Sequence, residues 1–403
     1  MPITSQKNYM PLIIACCLIL MITMGIRQTS GLFLQPLVLN TGLSISTVSL
    51  AMAIGQFMWG SAQPVGGLLA EKWGTRWVVG TGMLGVAVSM LLMPWVTNAF
   101  GVFAVFGVIA AAGAGLASFS LLMGAAAQAV PDGKRGFASG VINAGSSMGQ
   151  FVFAPLTQFM IGTWGWVTAG VGLGLIALSS LPLIAWITGK TVQIAGAVSP
   201  NNERVQFSRA WCSPNYKLLH LGFFTCGFHI AFLVTHLPGE ISICGLPASI
   251  AGTALAVIGL FNIIGSVIAG YLCGKFAMPR VLGNLYLIRA IAVVVYIFAP
   301  KTEMTWYIFA GVLGTTWLAT VPPTAGMVGG LFGSRNLATL FGMTMLSHQI
   351  GAFLGAYLGG LAVEYTHSYA WMWWADAVLA LIAAIASFAV KLPAKETVSP
   401  KLA

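Results

Sequence analysis

With 403 residues, 58% of them hydrophobic and only 6% charged, and a mean hydropathy of +0.90, the chain lies far outside the composition of a water-soluble globular protein. Its formal charge of +10 does not mark a nucleic-acid binder, because the bases sit in short polar gaps between long apolar runs, where a membrane accounts for them. The six cysteines show no C-x-x-C spacing and most lie in apolar runs, so neither a disulfide framework nor a metal site is expected.

Apolar runs of about 20 residues or more follow one another along the whole length, each long enough for a hydrocarbon core of ~30 Å. They lie near 11–36, 46–70, 77–96, 101–129, 136–160, 165–188, 216–238, 248–273, 280–299, 305–330, 336–362 and 370–391. This predicts an all-α membrane protein of twelve transmembrane helices. The first run is too long for a signal-peptide core and no A-x-A-like site follows it, so no cleaved leader is expected. Just past its middle stands Arg27, with Gln28 beside it. A charge inside the bilayer is costly and therefore a functional candidate. A guanidinium binds a carboxylate through two parallel hydrogen bonds. The other reading of Arg27 is structural, tied to helix-end carbonyls or polar neighbours. Gln56 in the second run is a weaker candidate.

Between the second and third runs, the ten residues Gly67-Leu-Leu-Ala70-Glu71-Lys72-Trp73-Gly74-Thr75-Arg76 hold one acid, two bases and two glycines. Gly74 can take φ > 0 without steric cost. Gly67 is expected to let two helices approach closely. Glu71 is expected to pair with Lys72, Arg76 or a neighbouring helix end. The stretch resembles the Gly-x-Leu-Ala-Asp-basic-x-Gly-x-basic signature of the major facilitator superfamily, found between helices 2 and 3, with Glu71 where the family usually has Asp. The resemblance implies two six-helix bundles in which helices 1, 4, 7 and 10 line a central cavity, helices 2 and 5 and their counterparts flank it, and helices 9 and 12 are peripheral.

In the fifth run, Asn143 and Gln150 are two turns apart and could reach one cavity. A polar segment at 191–214 reads as a cytoplasmic linker between bundles at 1–190 and 215–403. An internal repeat supports that division. Gly270-Tyr-Leu-Cys-Gly-Lys275 echoes Gly67–Lys72 at an offset of 203, followed by Arg280 as Arg76 follows there, and Arg335-Asn-Leu-Ala338-Thr339 echoes Arg135-Gly-Phe-Ala138-Ser139 at 200. With alternating helices, fifteen bases fall on one side, Lys301 alone falls on the other, and Arg27 and Arg289 lie inside helices. This predicts a multi-pass protein of the bacterial inner membrane with both termini cytoplasmic.

In the second half, the repeat carries Arg27 to position 230, next to His229, so that Arg27 and His229 are expected to face each other across the cavity. His229 can donate, accept or gain a proton; otherwise it is satisfied by a backbone carbonyl. His236 lies two turns on and reads more as structural. Pro322-Pro323 interrupt the tenth run, and the carbonyls freed there need partners, which cavity water or substrate could supply. Trp317 and Thr320 lie just before. In the eleventh run, His348 and Gln349 precede Gly351, Gly355 and Gly359, whose spacing makes a smooth face for close packing. Arg289 and Asp376 are read as structural, with Asp376 kept as a coupling candidate beside His229 and His348.

Shorter pieces resemble bacterial permeases of the monocarboxylate and oxalate–formate type: Arg27 with Gly31-Leu-Phe-Leu-Gln-Pro36, Arg135–Gly140, His236-Leu-Pro238, Tyr286-Leu-Ile-Arg289-Ala290 and Ser347-His-Gln-Ile-Gly351. Monocarboxylate transporters commonly carry an Asp and an Arg in helix 8, where this chain has Asn262-Ile-Ile-Gly-Ser266. The expected activity is secondary transport of a small organic anion by a monomer without cofactor or metal. Arg27, Gln28, Asn143, Gln150, His229, Trp317, His348 and Gln349 are the candidate substrate residues. Gly67, Glu71, Gly74 and Arg76 form the conformational motif. A larger neutral or aromatic solute is the alternative cargo; a receptor is less favoured. No nucleophile–base pair or phosphate loop points to an enzyme.

Overall fold

The computed structural model describes residues 9–131, 135–187, 208, 210–333 and 337–392. Most of the expected linker at 191–214 lies outside them, as do Lys134, Arg335 and the side chain of Arg135. Every regular element among the described residues is helical. The first bundle holds α1 (Met10–Thr41), α2 (Ile45–Trp73), α3 (Thr75–Leu91), α4 (Ala99–Ala126), α5 (135–164) and α6 (166–179). The second holds α7 (Pro214–Ile243), α8 (Ala248–Lys275), α9 (Met278–Phe298), α10 (Glu303–Phe332), α11 (Leu337–Thr366) and α12 (Ala370–Ala389). The helix α7 runs straight through Pro238, where the apolar run had suggested an end. A proline removes one donor, a loss that packed membrane helices tolerate.

The breaks follow the local chemistry. Gly74, at φ 89°, separates α2 from α3, and Gly165, at φ 81°, separates α5 from α6. Gly42 and Gly245 end α1 and α7 at φ 68° and 74°. Those two glycines are 203 positions apart, the offset of the loop repeat. Ser44 caps α2 by accepting from the Thr47 amide at 3.2 Å. Lys301, the one base expected on the far side, donates to the Ile297 and Ala299 carbonyls at the end of α9, 3.2 Å each.

Packing repeats as the sequence does. α1 lies on α5, α2 on α4 and α3 on α6; six helices later α7 lies on α11, α8 on α10 and α9 on α12. The bundles meet through α2 on α11 and α5 on α8, the same kind of pair with the halves exchanged. In lipid no hydrophobic force draws helices together, so close backbone approach matters most. Gly351 and Gly355 of α11 sit on the Phe224 and Phe228 carbonyls of α7, and Gly227 of α7 sits on the His348 carbonyl. Gly145 and Gly149 of α5 sit likewise on the Cys17 and Met21 carbonyls of α1. The expected glycine face is therefore a real contact surface. Gly67 is not part of one: a Cβ there would meet no atom within 4 Å. The last turns of α2 face open space at this point.

Contacts between the halves concentrate toward the ends at loops 42–44, 244–247 and 367–369. Gly31 sits on the Val234 and Thr235 carbonyls, Gly360 on Ser49, and Gly60 on the Gln349 side chain. The Ser46 amide at the head of α2 donates to Glu364 Oε2 at 2.9 Å. Asn262 Nδ2 donates to Ser147 Oγ at 2.9 Å. Toward the opposite ends, a Cβ at Gly140, Gly270, Gly274 or Gly342 would meet nothing within 4 Å. The Glu364 bond predicts a measurable latch. Glu364→Ala removes a charge-assisted bond of about 1.5 kcal/mol, so thiol labelling of Ser46→Cys should quicken about tenfold. An unchanged labelling rate would mean that the bond does not hold this end closed.

Candidate functional site

Arg27 comes from the last turn of α1 before the helix tightens into a 3₁₀ turn over Ser30–Phe33. Its Nη2 donates to Gln56 Oε1, and the guanidinium carbon stands 4.0 Å over the Trp59 ring. Gln56 and Trp59 are three apart on α2 and so share a face. Among the described residues no carboxylate pairs with Arg27. With Thr23, Ser30, Gln56, Phe106 and Ala110 it lines a cavity of about 40 Å³, room for about three water molecules. The α4 wall of this cavity contains a π-helical turn over Phe103–Ile109, a feature that often marks functional positions.

Gln28 points the other way, its Nε2 reaching the Ser146 carbonyl of α5 at 3.3 Å. One turn on, Gln150 is fully buried beside Gly259 of α8, with neither amide atom partnered. Asn143, two turns toward the charged-loop ends, is exposed. On α11, His348 Nδ1 meets Gln349 Oε1 at 3.2 Å, while Gln349 Nε2 is buried without a partner. The buried amides of Gln150 and Gln349 thus lie where the halves touch.

The second cluster is inside the C-terminal bundle. His229 Nδ1 donates to Asp376 Oδ2 of α12 at 2.5 Å, and both side chains are wholly buried. The Trp317 ring is 6.0 Å from the imidazole. This corrects the expectation that His229 and Arg27 face one another: each is held within its own half. The break in α10 falls at 317–320, before Pro322-Pro323. The carbonyls it frees at Thr316 and Trp317 accept from Arg289 Nη2, at 2.5 and 3.2 Å. Their partner is therefore a side chain from α9. Asn262 Oδ1 accepts from the free Leu318 amide at 3.0 Å. Cys226 reaches Thr320 Oγ1 at 3.3 Å.

Other expected residues are placed plainly. Both His236 nitrogens are used, Nδ1 on Tyr369 OH at 3.1 Å and Nε2 on the Ala356 carbonyl at 2.7 Å, so this ring ties α7 to α11 and α12. Glu71 is exposed and, among the described residues, joins no ion pair. Sequence reasoning missed Trp59, although its spacing from Gln56 was a signal. It also missed Glu240, buried in α7 and bound by Tyr296 OH at 2.8 Å and Trp373 Nε1 at 3.1 Å, because α7 had been ended at Pro238.

Comparison with known proteins agrees with this architecture. A family model described as Major Facilitator Superfamily matches residues 16–323. The oxalate:formate antiporter of Oxalobacter formigenes is 24% identical over 94% of this chain and 88% of its own length. Monocarboxylate transporter 13 of Rattus norvegicus is 24% identical over 86% of this chain and 80% of its own. Among solved structures, the inward-open xylose transporter XylE of E. coli superposes with a TM-score of 0.76 over 96% of this chain and 98% of that one, at 14% identity.

Proposed function

The chain belongs to the major facilitator superfamily, and on that footing we propose that it is a secondary active transporter carrying a small organic anion, a carboxylate, across the bacterial inner membrane by alternating access. The observation that carries this reading is Arg27: a guanidinium in a membrane helix, unpaired with any carboxylate among the described residues, with fork donors to spare beyond the one on Gln56. A bound carboxylate would supply the missing counter-charge. The printed names of the oxalate:formate and monocarboxylate relatives support the same class. The cavity beside Arg27 is small, so this is a closed form of the site, and substrate enters as the bundles 1–190 and 215–403, joined by the linker 191–214, rock about that central site. The movement brings Asn143, Gln150, Trp317, His348 and Gln349 to the cargo. The protein works as a monomer with both termini in the cytoplasm.

The uncharged Asn262, where monocarboxylate transporters carry their ion pair, favours a second reading, a neutral or aromatic solute. Thermal stabilisation of the purified protein against a panel of carboxylates, vitamins and drug-like solutes separates the two. Stabilisation by carboxylates alone supports the first reading, and stabilisation by neutral solutes alone overturns it.

The loop of Gly67, Glu71, Gly74 and Arg76 serves the cycle, not recognition. Among the described residues Glu71 is exposed and joins no ion pair in this form. Glu71→Gln should slow uptake into proteoliposomes several-fold and leave the affinity of the best panel ligand unchanged. A large loss of affinity at an unchanged maximal rate would contradict the assignment.

A further inference from the structure

We infer that His229 and Asp376, with Arg289 as a fixed neighbouring charge, form a proton-binding site inside the C-terminal bundle, separate from the anion site at Arg27. The inference rests on the transporter reading only for the use made of the proton, since the site itself is argued from geometry. His229 is on α7 and Asp376 on α12, and neither side chain has any exposure. Two atoms of the pair, His229 Nε2 and Asp376 Oδ1, are buried with no partner. Buried polar atoms of this kind are normally satisfied. Here one is a ring nitrogen and the other a carboxylate oxygen, and both accept a proton.

Polar and charged groups surround the pair. From α9 come Arg289 and Tyr286. Tyr286 OH is held by the Gly222 carbonyl at 2.7 Å. Arg289 is wholly buried, pinned to the α10 break through Nη2, and its Nε and Nη1 are unpartnered. α7 itself adds Cys226, α11 adds His348, whose ring packs on Phe223 at 5.3 Å, and α10 presents Trp317 and Thr320. Arg289 and ionised Asp376 cancel, so with neutral His229 the cluster carries no net charge. One proton taken from water, at Nε2 or Oδ1, leaves a net charge of plus one, with Asp376 still bound to His229. The fixed positive charge of Arg289 stands beside the added one. A site that gains one proton without losing its pairing fits loading on one side of the membrane and release on the other.

The experiment needs no substrate. Purified protein in lipid nanodiscs is titrated from alkaline to acid pH by infrared difference spectroscopy, with histidine isotope-labelled to mark imidazole bands. One buried carboxyl or imidazolium signal should titrate, and it should vanish in Asp376→Asn. In Arg289→Gln, loss of the opposing positive charge should move its midpoint to higher pH by at least one unit. His229→Gln should shift the midpoint and remove any imidazolium band. Glu240→Gln should leave the signal in place. Should Asp376→Asn fail to fold, the Arg289→Gln shift still decides. A parental spectrum with no titrating buried group, a signal lost in Glu240→Gln, or a midpoint unmoved by Arg289→Gln would overturn the site. The anion reading is tested independently by the ligand panel, so failure of one leaves the other visible.

Discussion

Arg27→Gln is expected to weaken binding of the best carboxylate ligand by about 10- to 150-fold, following from the ~1.5–3 kcal/mol of a hydrogen bond to a charged group. The variant keeps a polar side chain beside Gln56 and under Trp59, so the wall of α1 and α2 is preserved while the charge is lost. Arg27→Lys keeps the charge and loses the planar fork, and should fall between parent and Gln variant. A neutral ligand would not separate Lys from Gln in this way. Binding to all three proteins, each checked for a single size-exclusion peak, reads the outcome. Parental affinity for a carboxylate in both folded variants would make Arg27 structural and remove the main support for an anion as cargo.

Gly227→Val should be the most damaging substitution for stability. Its Cβ would overlap the His348 carbonyl, and a backbone atom cannot rotate away as a side chain can. Either α7 and α11 separate along a contact that continues through Gly351 and Gly355, or the local backbone bends. The upper range for overpacking, about 3 kcal/mol, is the expected loss. Gly342→Ala on the same α11 is the control: nothing lies within 4 Å of its Cβ position, and a helical Gly→Ala change is itself favourable by roughly 0.5–1 kcal/mol. Melting in detergent should separate the two variants clearly. Equal melting temperatures would show that the α7–α11 contact is looser than described.

These two residues illustrate what sequence can carry. Glycines spaced four apart on α11 announce a smooth face, because helical geometry alone places them in one row. The turn at Gly74 and the break before Pro322-Pro323 are equally local: each depends on what one backbone position can or cannot do. The pairing of His229 with Asp376 is not local. The two are 147 positions apart, and nothing in either segment states its partner. Arg289 was read as structural, but the carbonyls it serves lie on the next helix and nothing in its own segment names them. Arg27 was legible as a buried charge, but not its direction. The repeat offset suggested a view across the cavity, whereas the Gln56–Trp59 face of α2 draws the side chain back into its own bundle.

Asn262 joins three segments at once: it donates to Ser147 in the other half, and it accepts from the Leu318 amide at the α10 break and from Ser266 on its own helix. The bonds lie on opposite ends of one amide, Nδ2 outward and Oδ1 inward. When the halves part, only the outward bond must be exchanged for water. The inward one continues to hold the unwound residues of α10 in register with α8, and Arg289 grips the same residues from behind. The C-terminal bundle can thus travel as one piece with its polar interior undisturbed, so that a proton taken up there would be ferried with the moving body instead of being squeezed out by its deformation.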